Sequence, residues 1–283
     1  MRGSYRLGTA FGIGVFVHWS FAILVGYVLF TTLSAGAGWV IAFNSVVFVL
    51  AVFGCILLHE LGHSLAARRY GIGTHDITLL PIGGVARLER IPEEPKQELV
   101  IAVAGPAVNV VIAAVLSLVA VVFRIPAPQT AMAMFSDAAI IHGLIYTNIV
   151  LVIFNMLPAF PMDGGRVLRA FLAMRHGMLP ATETAVKVGK VMALIMALSV
   201  FYHGNIFIFF IAGFVFIAGA AELQAVRMRH TAPGDQLREM MQRMMGAFGG
   251  AGGEGGEGGV PPGPPEAGGG SEPRPVSGRV VED

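Results

Sequence analysis

"CILLHELGHSLAARRYG", residues 55–71, ends a long apolar run with side chains that a bilayer rejects. The run from Trp39 to Leu58 approaches the roughly 20 residues needed to cross a hydrocarbon core. Continuing it as helix to Tyr70 places His59, Glu60 and His63 at its end, followed by Arg68 and Arg69. The two arginines should mark the aqueous interface, so His63 sits about 8 Å inside it. Ionisable groups at that depth are costly and point to function.

Composition agrees with a membrane setting. The 283 residues are 55% hydrophobic and 13% charged, whereas a soluble domain carries about 25% charged residues. A net charge of +1 with no basic patch gives no footing for nucleic acid. Cys55 is the single cysteine, which excludes a disulfide framework and a thiolate zinc site.

Six apolar segments are expected to span: Val15–Leu33, Trp39–Leu58, Leu99–Phe123, Ala138–Leu157, Ala185–Tyr202 and Ile206–Ala221. The expected fold is therefore an all-α polytopic membrane protein, with a short β-hairpin or re-entrant loop after the second span. The hairpin would pair His75–Leu80 with Val85–Ile91 around "PIGG". With a cytoplasmic N-terminus, every Lys and Arg except Arg124 falls on the cytoplasmic side. That predicts a multi-pass protein of the cell membrane, with both termini and the opening of the site cytoplasmic.

Three regions follow. Residues 1–225 form the membrane domain, and residues 226–248 a short amphipathic cytoplasmic segment with methionines at helical spacing. Residues 249–283 are a Gly/Pro-rich tail that cannot build a core.

His59-Glu60-Leu61-Gly62-His63 is an H-E-x-x-H motif. Histidines four apart on a helix share a face, so both imidazoles can reach one Zn²⁺ while Glu60 addresses a water on that metal. Zinc brings such a water towards a pKa of about 7, and a carboxylate base completes its activation. A catalytic zinc needs a third protein ligand. One source is Glu89, Glu93, Glu94 or Glu98, although "RLERIPEEPKQE" reads better as a solvated charge run. The other is Asp163 in "NMLPAFPMDGGRVLRA", where Pro158 and Pro161 break the helix and Gly164 and Gly165 permit a tight turn. Unwound backbone at membrane depth must be buried in protein or line a wet cavity, which favours Asp163. In "AGPAVNVVIAAV", at the start of the third span, Asn109 offers an interhelical hydrogen bond or a substrate contact. Asn148, Asn155 and His18 are similar polar residues in apolar surroundings, and His18 beside Trp19 suits interface anchoring.

In combination, "HELGH", "GPAVN" and "NMLPAFPMDGGR" resemble the site-2 protease family of intramembrane zinc metalloproteases, over about residues 10–225. The six-span prokaryotic branch, with its sporulation factor IVB-type proteases, is the most similar. The resemblance implies one Zn²⁺ per chain on His59, His63 and Asp163, with Glu60 as the base. It also implies that Asn109 helps to hold the substrate or the oxyanion. Implied substrates are transmembrane helices of other proteins, such as membrane-anchored regulators, cut within or near the lipid bilayer in regulated intramembrane proteolysis. Relatives in this branch often carry paired cystathionine-β-synthase-type domains, and residues 222–283 are too short and too low in complexity for that pair. Gating is then expected from the tail, the loop or a separate regulatory membrane partner. The alternative reading is a membrane metal transporter or metal sensor using the same His/His/Asp cluster, which leaves Glu60 without a role. Serine and aspartyl intramembrane protease motifs (G-x-S-G, G-x-G-D) do not occur.

Overall fold

Apolar runs become helices because backbone facing lipid must satisfy its own hydrogen bonds. The computed structural model describes residues 3–90, 92, 94–127 and 137–230. In chain order its elements are β1 (Ser4–Ala10), β2 (Ile13–His18), α1 (Ser20–Ser34), α2 (Gly38–Arg68), β3 (Thr74–Leu80), β4 (Gly83–Leu88), α3 (Pro95–Val122), α4 (Asp137–Asn155), α5 (Asp163–His176), α6 (Met178–His203) and α7 (Ile206–His230). Of the amphipathic segment expected over residues 226–248, residues 226–230 are the end of α7, and the rest, with the 249–283 tail, lies outside the described residues.

The protein is a mostly helical membrane protein. Among the described residues, four helices, Gly38–Arg68, Pro95–Val122, Met178–Phe201 and Ile206–Met228, are long and apolar enough to cross a membrane. Ser20–Ser34 and Ile140–Asn155, which cover the other two expected spans, are shorter apolar helices. α2 has 31 residues, about 46 Å at 1.5 Å per residue, against a hydrocarbon core of about 30 Å. Its final turns therefore have length to spare for polar chemistry at one end.

The all-α expectation needs correcting, because a four-stranded sheet in the order β1-β2-β3-β4 accompanies the helices. Residues 13–18, at the edge of the expected first span, are strand and not helix. Phe11 and Gly12 both have positive φ (52° and 84°), the two-residue turn that matches the twist of a tight hairpin, and they join β1 to β2. β2 then pairs in parallel with β3, and β3 pairs antiparallel with β4. Ile13 of β2 and Ile77 of β3 pack with Leu61 of α2, with Leu57 and Ala86 against them. The sheet thus lies on the end of α2 that carries the histidines. His18 Nδ1 pairs with Ser20 Oγ at 2.7 Å where β2 passes into α1.

After α4 the chain unwinds as its prolines require, and Ala159, Phe160 and Met162 of the unwound stretch are buried in protein. Ala159 and Met162 pack with Ala193 of α6 and with Ala212 and Val215 of α7. Phe160 packs with Ala185 and Val186 of α6. Gly164 and Gly165 do not make the expected tight turn: both lie in the first turn of α5. A Cβ on Gly164 would collide with the Met156 and Leu157 carbonyl oxygens, and one on Gly165 would stand 2.7 Å from the Ala159 carbonyl carbon. The glycines let the start of α5 press against the unwound chain.

Candidate metal centre

α2 presents His59 and His63 one turn apart, and α5 brings Asp163 to them from its first turn. His59 Nε2 and His63 Nε2 lie 3.1 Å apart. Asp163 Oδ2 lies 3.3 Å from the first and 3.2 Å from the second. Among the described residues, these three form the group whose donor atoms converge closely enough to hold a metal, and all three are buried. Zinc bonds of about 2.0–2.1 Å at tetrahedral angles separate ligand atoms by about 3.3 Å, so the spacing fits.

The chemistry of the donor set fits as well. The Ile101 carbonyl can only accept, so at 2.7 Å it takes the hydrogen of His63 Nδ1. Asn109 Oδ1 does the same for His59 Nδ1 at 2.5 Å. Both Nε2 atoms are then left with lone pairs directed at each other and at a carboxylate oxygen. Three converging acceptors repel unless a cation lies between them. A partner on the far ring nitrogen is how proteins set the tautomer and orientation of metal-binding histidines.

α3 supplies these supports from one face. Between Ile101 and Asn109 stands Gly105, where a Cβ would collide with His63 Nε2 and stand 2.8 Å from His59 Nε2. Only a residue without a side chain allows α3 to approach both imidazoles. Asn109 lies within α3, which begins at Pro95. It is 0% exposed, and its Nδ2 donates to Asn148 Oδ1 of α4 at 2.7 Å. Asn148 Nδ2 continues to the Leu144 carbonyl at 2.8 Å and to Cys55 Sγ at 3.4 Å. Asn109 therefore makes the interhelical hydrogen bond anticipated as one option, and its amide is committed on both sides. Asn148, singled out only as an unexplained polar residue, is its partner.

Glu60 is half-buried beside the cluster, with β4 laid across it. The Ala86 backbone N–H of β4 faces its carboxylate. A Cβ on Gly84 would stand 2.6 Å from Glu60 Cγ, so the strand can rest there only as glycine. Asp163 Oδ1 faces away from the imidazoles, with Arg166 Nη1 4.0 Å from it.

The glutamate alternatives lie elsewhere. Glu89 and Glu94 are exposed, and Glu93 lies outside the described residues. Glu98 corrects the reading of that stretch as a solvated charge run, for it is 0% exposed within α3. Its carboxylate is paired with Arg169 of α5 and is not among the converging donors.

Residues 47–138 and 123–199 match peptidase family M50. A zinc metalloprotease of Methanocaldococcus jannaschii is 36% identical over 228 residues, covering 81% of this chain and 63% of that relative. Stage IV sporulation protein FB of Bacillus subtilis is 27% identical over 126 residues, covering 42% of this chain and 38% of that protein. The chain thus spans under two thirds of the length of the curated relatives it matches. Among solved structures, a site-2 protease from Methanocaldococcus jannaschii superposes with a TM-score of 0.55 at 34% identity, covering 78% of this chain and 95% of that one. With its site built on α2 and α5 as described, the chain belongs to peptidase family M50, the family of the site-2 proteases.

Proposed function

We propose that this chain is an intramembrane zinc endopeptidase that hydrolyses peptide bonds in or near transmembrane segments of other membrane proteins. One observation carries the reading. His59 Nε2, His63 Nε2 and Asp163 Oδ2 converge at the end of a membrane-length helix, with Glu60 beside them under a strand. In this reading His59, His63 and Asp163 hold one Zn²⁺ per chain. Bound there, zinc would supply Lewis-acid polarisation and a water acidic enough to ionise near neutral pH.

Glu60 is the general base. Its carboxylate takes a proton from the attacking water and later delivers it to the departing amide nitrogen. β4 confines that carboxylate, with Gly84 packed against the Glu60 side chain. Asn109 and Ile101 orient the two imidazoles, so the role we assign to Asn109 is positioning, in place of the substrate or oxyanion contact that the resemblance implies.

β4 is the terminal strand of the sheet and lies on Glu60. An extended substrate segment would add to that edge, which suits hydrolysis because a helical peptide bond is shielded from attack. Membrane-anchored regulators have the required chemistry: a transmembrane helix that can unwind at the interface. The distribution of Lys and Arg supports a multi-pass arrangement in the cell membrane, with α1 and α4 completing the crossing and the site opening to the cytoplasm. The transporter reading explains the three ligands but leaves Glu60 and its strand without a task.

The test uses the full chain in liposomes with a single-span model substrate. Cleavage should stop on addition of a zinc chelator and return when zinc is restored, with no zinc flux across the vesicle wall. Zinc flux without cleavage would replace the peptidase by the transporter.

A further inference from the structure

α3 contributes no donor to the cluster, yet one of its faces reaches every residue that does. Ile101 supports His63, Asn109 supports His59, and Gly105 makes room for both. Going back from Ile101 by one further turn, the same face carries Glu98, at the spacing that keeps helical residues on one side. Glu98 Oε1 accepts from Arg169 Nε at 3.0 Å and from Arg169 Nη2, and Arg166 Nε lies 4.0 Å from the same oxygen. Arg169 is 2% exposed. Its remaining arm, Nη1, donates to Glu222 of α7, and its guanidinium stands 5.0 Å over the Phe160 ring of the unwound stretch.

Both arginines belong to α5. Asp163, Arg166 and Arg169 succeed one another at intervals of three along it, and Arg166 Nη1 faces the outer oxygen of Asp163 at 4.0 Å. The line of charge therefore runs from the converging donors through Arg166 to Glu98 and on through Arg169 to Glu222. Two carboxylates, Glu98 and Glu222, balance the two arginines. The second oxygen of Glu98, Oε2, is buried without a partner among the described residues. The charge of this carboxylate is directed at α5 alone.

We propose that Glu98 is the positioning residue for Asp163. Through Arg169 and Arg166 it sets the height and rotation of α5, so that Oδ2 meets the two imidazoles and Oδ1 is turned away. α3 is then the template for the whole centre: each of the three donors is held from one of its faces, and none is donated by it. The proposal rests on Asp163 being the third zinc ligand.

Supports of this kind change metal affinity by about 10–100-fold when removed. The experiment measures zinc affinity of the full chain in detergent by chelator competition, and the visible absorption of the Co²⁺-loaded protein, which reports ligand geometry. Glu98→Gln keeps the shape and removes the charge. It should weaken zinc by about 10–100-fold and alter the Co²⁺ band. Arg227→Gln, which removes an exposed pair to Glu183 on other helices, should do neither. Wild-type affinity and an unchanged band in Glu98→Gln would overturn the proposal. Should Glu98→Gln fail to fold, Arg169→Lys takes its place: it keeps the charge and loses the fork, and the same two readouts decide in the same way. Asp163→Ala separates the two levels. If it retains zinc and the Co²⁺ band, the ligand reading itself falls; if it loses zinc while Glu98→Gln does not, only the positioning role falls.

Discussion

The Nε2 atom of His63 and the Oδ2 atom of Asp163 lie 3.2 Å apart, although the two residues are 100 positions apart in the chain. That meeting requires a helix break at Pro158 and Pro161, two glycines that let α5 begin against the broken stretch, and α3 packed against both the histidines of α2 and the arginines of α5. Each requirement can be tested by substitution.

Gly105→Ala adds one methyl group at the point where α3 faces both imidazoles. Because the new carbon would collide with His63 Nε2, one of the helices or the histidine must shift. Zinc affinity should fall by at least about tenfold, the lower end of the range for displaced supports. Metal analysis after dialysis against a calibrated chelator would show it, and full occupancy would mean that the helices separate at no cost to the site.

Asn109→Ala removes the acceptor for His59 Nδ1 and leaves Asn148 without its partner. The expected loss in zinc affinity is about 10–100-fold. At saturating zinc, KM for a model substrate should stay near wild type, because both ends of the buried amide are engaged by His59 and Asn148. A rise in KM with unchanged zinc binding would return Asn109 to the substrate.

Gly84→Ala sets a Cβ 2.6 Å from Glu60 Cγ, so β4 or the glutamate must move. Misplacing a catalytic group by about 1 Å costs on the order of 100-fold in rate. Cleavage should drop by about that factor while zinc remains bound, a pattern opposite to that of Gly105→Ala. Loss of zinc instead would place β4 among the supports of the metal.

Acid should loosen the sheet. Arg87 hydrogen-bonds Asp76, its Nε at 2.9 Å from Oδ1, and holds that carboxyl below the usual carboxylate range. A carboxyl lowered by folding stabilises above its unfolded pKa, about 4, and the stabilisation is lost as pH falls through the folded value. Thermal unfolding in detergent should show wild type losing more stability than Asp76→Asn between neutral pH and that acid window. Parallel pH profiles would mean that the pair contributes nothing to folding.

Much of the site was legible in the sequence because its chemistry is local. His59, Glu60 and His63 lie within one helical turn, and periodicity alone puts the imidazoles on one face. Asp163 was legible by a different route: prolines at membrane depth announce buried irregular backbone, and a carboxylate there needs a reason. What stayed hidden depends on distant partners. Glu98 sits among exposed glutamates in the chain, and only the folded α5 brings Arg169 to it. Asn148 reads as one more amide in an apolar helix until Asn109 is seen opposite. The first two strands were missed because Ile13–His18 runs without interruption into the apolar α1, so the hydropathy of the segment reads as a single span. The positive φ at Phe11, a residue that rarely adopts it, leaves almost no trace in composition.

As the proposed base, Glu60 works on a site it does not build. Glu60→Gln keeps the size of the side chain and removes its basicity. Reconstituted with a single-span substrate, this variant should hold one zinc per chain and cleave nothing, both read from the same preparation. Undiminished cleavage with zinc in place would contradict the account.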